Sequence, residues 1–121
     1  MSEILNSKHY DLEDRTLQFA KDVRTFTSKL SRTISNLQDI PQLVRSTGSV
    51  GANYIEANES LSKKDFLLRI KICRKEAKES CYWLKMVDLG DKTELEQERG
   101  ILIQEATELM KIFRSILHKS S

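Results

Sequence analysis

The sequence predicts an all-α fold, an up-down-up-down antiparallel four-helix bundle. Its 121 residues include only four glycines and one proline, too few turn-forming residues for many short strands. Hydrophobic residues recur at every third or fourth position, which places them on one side of an α-helix. Capping residues and short connections separate four such segments, so we expect neighbouring helices to run antiparallel in a single domain spanning residues 1–121.

The first two helices are predicted from their ends and their apolar spacing. Residues 1–10 are expected to form an N-terminal extension, and the first helix to span approximately 12–36, with Glu13 and Asp14 in its first turn. The second is expected over approximately 40–60, with Pro41 in its first turn and Asp39 as cap. The residues expected to be buried are Phe19, Val23, Phe26, Leu30, Ile34 and Leu37 in the first helix, and Leu43, Thr47, Val50, Tyr54, Ala57 and Leu61 in the second.

The third and fourth helices have clearer start signals. Ser62 and Asp65 have the spacing of a capping box, which predicts a third helix over approximately 63–89 that ends before Gly90. Thr93 and Glu96 form a second such pair, which predicts a fourth helix over approximately 94–118. The expected buried residues are Phe66, Ile70, Cys73, Ala77, Cys81, Leu84 and either Val87 or Asp88 in the third helix, and Leu102, Ala106, Leu109, Phe113 and Ile116 in the fourth.

Two of the predicted helices carry a second apolar face. A glycine inside a helix costs about 1 kcal/mol relative to alanine, so Gly48 and Gly51 suggest that another backbone packs closely there. Either a wide apolar stripe contacts both neighbours within one bundle, or the second faces form an oligomer interface. The candidate interface residues are Val44, Gly48, Gly51, Ala52 and Ile55 on the second helix and Leu68, Ile72, Trp83 and Met86 on the third.

Charge is unevenly distributed along the third helix, although the whole chain has a net charge of only +2. Between Lys63 and Lys85 there are eight basic residues and three acidic ones. Six of the basic residues fall within one stripe about 100° wide on a helical wheel: Lys64, Lys71, Arg74, Lys75, Lys78 and Lys85. This basic stripe could contact the phosphates of a nucleic acid, or it could simply be a solvated helix face.

The sequence contains no recognisable catalytic motif. His9 and His118 lack the glutamate three positions earlier that di-iron bundles use, and Gly48 to Gly51 lacks the strand and the Lys-Ser/Thr of a phosphate-binding loop. We therefore expect no catalytic residue, metal or cofactor. A small metal-dependent enzyme that uses glutamates inside the bundle is the enzymatic alternative.

Compartment can be inferred from the cysteines and from hydropathy. Cys73 and Cys81 lie about 12 Å apart along one predicted helix, too far to bridge each other, and free thiols agree with a reducing environment; a disulfide between two chains is the alternative. The apolar runs are too short for a transmembrane span or a signal peptide. We expect a cytoplasmic protein without membrane contact.

Three segments in order along the chain carry a family resemblance. The first runs from Arg45 to Ala57 and contains the pattern Gly-Ala-Asn-x-x-Glu-Ala; the others are Lys64–Phe66 with Lys75–Leu84, and Glu105–Leu109. Together with Tyr10–Leu12 they cover nearly the whole chain. They resemble the four-helix-bundle family encoded within intervening sequences of bacterial 23S rRNA genes.

That resemblance implies a ring-shaped homo-oligomer, expected to be a homopentamer. Distantly similar proteins, the accessory proteins of diversity-generating retroelements, bind nucleic acid and partner a reverse transcriptase. We therefore expect a non-enzymatic homo-oligomer that binds structured RNA, or another nucleic acid such as DNA, through the basic stripe. The alternative is a purely structural or protein–protein interaction module, for example a partner of a reverse transcriptase. Because Tyr82 is the main aromatic candidate for base stacking beside the stripe, we expect mostly backbone and shape recognition.

Overall fold

The predicted all-α fold is confirmed in a computed structural model that describes the backbone of residues 2–120 and the side chains of residues 12–120. Its helices are α1 (Ser2–Thr27), α2 (Ile34–Asn58), α3 (Lys63–Met86) and α4 (Leu95–Ser120). Each helix contacts the next along the chain, and α4 also contacts α1. Diagonal helices have no Cα atoms within 8 Å of each other in this described part, although the rings of Tyr54 on α2 and Phe113 on α4 meet across the core with centroids 5.9 Å apart. The chain is therefore a four-helix bundle, and the described backbone contains no strand.

Among the described helices, none combines the length and the apolar character that a membrane crossing requires.

The junction between α1 and α2 differs from the predicted one. The first helix was predicted to continue to residue 36, but α1 ends at Thr27 and a turn follows. The prediction was wrong because the apolar spacing continues past the end of the helix. Leu30 is buried, as expected, whereas Ile34 is 84% exposed and Leu37 53% exposed.

The start of α2 also differs from the prediction. The helix begins at Ile34, not near residue 40, and its cap is Thr33 in place of the expected Asp39. The Thr33 side chain accepts the backbone N–H of Asn36. Pro41 consequently lies inside α2, where it lacks the N–H that would bond one turn back.

The predicted N-terminal extension over residues 1–10 is corrected as well. The α1 backbone is helical from Ser2 onward, so the helix begins ten residues before the predicted start at residue 12. Of the segments that carry the family resemblance, Tyr10 and Asp11 lie outside the described side chains.

A buried amide ties together two connections at one end of the bundle. The Asn36 side chain is fully buried, and its Nδ2 donates to the carbonyl oxygens of Ser31 and Asp88, each at 2.8 Å. Its Oδ1 accepts the backbone N–H of Asp88, also at 2.8 Å. The α1–α2 connection is thereby fixed to the α3–α4 connection.

The start of α3 follows the prediction, and its end lies slightly earlier. Ser62 caps the helix by accepting the backbone N–H of Asp65 at 3.1 Å. The last helical residue is Met86, not residue 89, and Gly90 has a φ of 60° within the connection to α4. That left-handed conformation favours glycine.

The fourth helix begins close to its predicted start. It runs from Leu95 to Ser120, two residues beyond the predicted end. The Glu96 carboxylate accepts hydrogen bonds from the Arg99 guanidinium, an arrangement that the predicted capping box did not include.

The predicted apolar stripes meet in one core. An exception is Leu61, which is fully exposed because α2 has already ended at Asn58. Core residues with no exposed surface include Val23 and Phe26 of α1, Leu43 and Val50 of α2, Ile70, Cys73, Ala77 and Leu84 of α3, and Ala106, Leu109 and Phe113 of α4.

Candidate nucleic-acid interface

The acidic side chains in the middle of α3 are paired with α2. The Arg45 guanidinium contacts the Glu76 carboxylate at 3.3 Å and also contacts Glu79. Nearby, the Ser80 hydroxyl donates to Ser46 at 3.0 Å. These groups all lie on the side of α3 that packs against α2, so the two carboxylates are directed away from the basic stripe.

The basic stripe occupies the outer side of α3. All six of its residues are exposed, as the helical-wheel count predicted: Lys64, Lys71, Arg74, Lys75, Lys78 and Lys85. Ion pairs between described side chains involve Arg15, Lys29, Arg45 and Arg99, and none involves a residue of the stripe. The fold thus separates the charges of α3, with its paired acids towards α2 and a row of cations facing solvent.

An aromatic pair lies at the C-terminal end of the stripe. Tyr82 is 55% exposed, and its ring meets Trp83 edge to face, with ring centroids 4.9 Å apart and planes at 78°. The Trp83 Nε1–H donates to the Glu79 carboxylate at 2.9 Å. Because Glu79 also contacts Arg45, hydrogen bonds and ion pairs link the aromatic pair to α2.

Four of the five candidate interface residues of α2 face α1. Ala52 and Ile55 are exposed, Val44 and Gly48 are partly buried, and Gly51 is in close contact with α1. With the exception of Val44, these residues line a groove of about 480 Å³ between the two helices, together with residues that include Leu17, Ala20 and Arg24 of α1.

Gly51 has an explanation within one chain. A Cβ atom at this position would lie 2.8 Å from Oγ1 and 3.2 Å from Cβ of Thr16 on α1. The glycine at position 51 led us to expect another backbone packed closely against α2, and that backbone is α1 of the same chain. A Cβ at Gly48 would meet its nearest atom, in the Arg24 side chain, at an ordinary 3.6 Å.

The candidate interface residues of α3 differ in exposure. Leu68 and Met86 are 56% and 47% exposed. Ile72 and Trp83 are partly buried, and Trp83 packs against the hydrophobic core. The solvent-facing members of this second face are therefore Leu68 and Met86.

A groove of larger volume, about 1020 Å³, lies between α1 and α4. The Arg15 guanidinium bridges it, donating to Glu105 at 2.7 and 2.8 Å and to Glu108 at 3.0 Å. Hydrogen bonding to Glu105 raises the pKa of Arg15 despite its partial burial, and a hydrogen bond from Gln104, followed by that from Arg15, lowers the pKa of Glu108. The groove is acidic overall, unlike the outer face of α3.

The cysteines are free thiols, as predicted. Burial raises the pKa of Cys73 to about 12, and its thiol contacts the Val50 carbonyl at 3.4 Å. The Cys73 thiol is therefore protonated near neutral pH and is a poor nucleophile. Among the described residues, no group of three or more His, Cys, Asp or Glu side chains is arranged to hold a metal ion.

Sequence reasoning did not identify Arg45 as an organising residue. It was noted only as the first residue of the resemblance segment, because its pairing with Glu76 and Glu79 depends on how α2 and α3 are rotated against each other. That rotation is not readable from the spacing on either helix alone.

Comparison with known proteins gives a family match over most of the chain. The model of the family described as 23S rRNA-intervening sequence protein matches residues 8–115. A crystal structure of a protein of unknown function from the S23 ribosomal protein family of Bacteroides thetaiotaomicron is similar, with a TM-score of 0.74 and 30% sequence identity. The similarity covers 88% of this chain and 97% of that one. No curated protein matches the sequence.

Proposed function

The chain belongs to the 23S rRNA-intervening sequence protein family, and from this premise we propose that it is a non-enzymatic, self-associating protein that binds structured RNA through the basic stripe of α3. The observation that carries this proposal is the separation of charge on α3. Arg45 pairs with Glu76 and Glu79 on the side of α3 that faces α2, while the six stripe cations are exposed and have no carboxylate partner among the described side chains.

A row of unpaired cations favours a polyanionic partner. Each Lys or Arg that neutralises a phosphate releases counterions from the nucleic acid. The logarithm of the binding constant therefore falls linearly with the logarithm of the salt concentration. A single stripe offers a few such contacts. Several copies in one assembly would add their contacts through multivalency, and a chain of net charge +2 could then bind RNA firmly.

RNA binding is tested by a titration of labelled hairpin RNA, single-stranded RNA and duplex DNA at several salt concentrations. In the key variant Lys71, Lys75 and Lys78 are each replaced by Gln. We expect weaker RNA binding and a salt slope reduced by roughly 2–3, since each lost phosphate contact removes about 0.7–0.9.

The matched control removes the same charge elsewhere. Lys21, Arg32 and Lys111 are exposed and lie outside the stripe, so their replacement by Gln should change the slope much less. Equal effects of the two triple variants would show that net charge alone governs binding. If the wild-type protein binds no RNA at low salt, the RNA proposal is wrong and the protein–protein interaction module is left.

Self-association is supported by the exposed apolar residues on the two second faces, among them Ile55, Leu68 and Met86. Light scattering or sedimentation at micromolar concentration should give a mass several times 14.0 kDa, with a pentamer as the expected assembly. A charge at Ala52 or Leu68 (A52R, L68R) should weaken it, because both side chains are exposed and neither change disturbs the core. The variant I101R, at a 62% exposed residue on α4, is the control. A monomeric wild-type protein would contradict this part of the proposal.

A further inference from the structure

The aromatic pair at the end of the basic stripe suggests a more specific ligand. We propose that Tyr82 is a stacking platform for an unpaired base of the bound RNA, held in place by the Arg45–Glu79–Trp83 network. This inference rests on the proposed RNA binding and adds to it the class of RNA: one with a loop or a bulge.

Tyr82 lies within the stripe on the helix surface. It follows Lys78 by four positions and precedes Lys85 by three, the spacings at which side chains on a helix are neighbours. Lys75, two turns earlier, lies on the same side. An RNA backbone that contacts these cations would pass beside the Tyr82 ring, so a base turned out of its stack would have an aromatic surface within reach.

Contacts below Tyr82 restrict the orientation of its ring. More than half of Tyr82 is exposed, yet its ring makes an edge-to-face contact with Trp83 at 4.9 Å. Trp83 is fixed from two sides: it packs on the core, and its Nε1–H donates to Glu79 at 2.9 Å. The Glu79 carboxylate is in turn paired with Arg45 on α2.

This arrangement lowers the entropic cost of binding at an exposed residue. A platform that is already ordered loses less side-chain freedom when a base stacks on it. Arg45 is thus a positioning residue for Tyr82. It acts through Glu79 and Trp83 and has no contact of its own with the ring.

The chemistry of the site favours unpaired nucleotides without a strong choice of base. Every base has a π-face, and stacking on an aromatic ring combined with phosphate contacts is the usual means of binding single-stranded segments. Bases inside an A-form duplex are already stacked on one another and cannot reach the ring. We therefore expect a preference for looped over fully paired RNA.

The experiment compares an RNA hairpin with a blunt-ended RNA duplex of the same stem, using fluorescence anisotropy of the labelled RNA. Y82S should weaken binding of the hairpin by about 5–150-fold, the usual loss for one stacked base, and should leave duplex binding nearly unchanged. Y82F should retain the hairpin preference because it keeps the ring. I101S, at another exposed apolar residue, is the control. A DNA hairpin of matching sequence distinguishes deoxyribonucleotides from ribonucleotides as the source of the stacked base.

The positioning role of Arg45 is tested with R45M. This change should reduce the ratio of hairpin to duplex affinity while helicity, measured by circular dichroism, is retained. Trp83 is the sole tryptophan of the chain, so its emission reports directly on this site. Hairpin RNA should quench it in the wild-type protein, and duplex RNA should not.

The outcomes separate this inference from the proposed function. Neutralising the stripe could weaken the binding of both RNAs while Y82S changes the binding of neither. In that case the proposed stacking platform is wrong and the proposed role of the basic stripe stands. Equal losses for hairpin and duplex in Y82S would also reject the platform. If the wild-type protein binds neither RNA, both proposals fail.

Discussion

Helix α1 packs against its two neighbours in opposite ways. Against α2, the absence of a side chain at Gly51 lets Thr16 approach so closely that an added Cβ would lie 2.8 Å from its hydroxyl oxygen. Against α4, the contact is the least extensive of the four in the bundle, and Arg15 spans a groove of about 1020 Å³ to reach Glu105 and Glu108.

Two kinds of residue therefore set the separation between helices in this bundle. Buried small residues permit close approach, and their replacement produces overlap at a fixed distance. Long charged side chains bridge a gap that water can enter, so their contribution to stability is small and depends on pH and salt. Substitutions on the two sides of α1 should therefore differ in size and in their response to conditions.

The largest effect is expected at Asn36, which anchors the turn between α1 and α2. The variant N36A removes three part-buried hydrogen bonds and leaves the carbonyl oxygens of Ser31 and Asp88 and the N–H of Asp88 without their side-chain partner. We expect a loss of about 2–4 kcal/mol in the free energy of unfolding, measured by urea denaturation. The variant Q38A, at an exposed position on the same helix, should change it by less than about 0.5 kcal/mol. Similar values for the two variants would contradict the anchoring role.

A smaller effect is expected at the α1–α2 contact itself. The variant G51A should destabilise the protein by about 1–2 kcal/mol, because overlap with Thr16 outweighs the gain in helix propensity. In G48A the new methyl group has room, so the protein should be stabilised by up to about 1 kcal/mol. Thermal unfolding of the two variants should shift in opposite directions. Shifts of the same sign would mean that α1 can move away from α2 at little cost.

The smallest effect is expected on the α4 side of α1. In R15M the partly exposed Arg15–Glu105 pair is lost, and we expect a cost of at most about 1 kcal/mol at neutral pH. Glu108 has a lowered pKa in the folded protein, so its contribution is present above the pKa of an unfolded glutamate, about 4.3, and is lost as the pH falls. Wild-type and R15M stabilities should therefore converge progressively as the pH falls from about 4.3 through the lowered pKa of Glu108. The variant K29M, which breaks the exposed pair with Glu98, is the control. A difference that stays constant from pH 7 to pH 3 would contradict the ionic contribution.

The sequence predicted the number of helices and most of the core, and its errors have a common cause. Helical spacing identifies which residues share a side, so Val23, Leu84 and Phe113 were correctly expected to be buried. The same spacing extended the first helix through Leu30 to Ile34 and Leu37, although the chain turns there. Spacing contains no information about where a helix ends, and the cap at Thr33 was not recognised among several short polar residues.

The candidate site also combines features that the sequence predicts with features that it does not. The exposure of the basic stripe could be predicted, because it depends only on positions around one helix. Three contacts could not be predicted from the sequence: the pairing of Glu76 and Glu79 with Arg45, the hydrogen bond between Trp83 and Glu79, and the contact of Gly51 with Thr16. Each of these joins residues on different helices or depends on such a pair.

The all-α class, the family and the cationic face of α3 can be predicted because periodicity, motifs and charge are properties of neighbouring positions along the chain. Which acids are paired, which glycine is needed inside the bundle and how the Tyr82 ring is held depend on the packing of the helices. The physical reason is that ion pairs and steric contacts act over a few ångströms. They are therefore fixed by the rotation and separation of packed helices, which no single helical segment specifies.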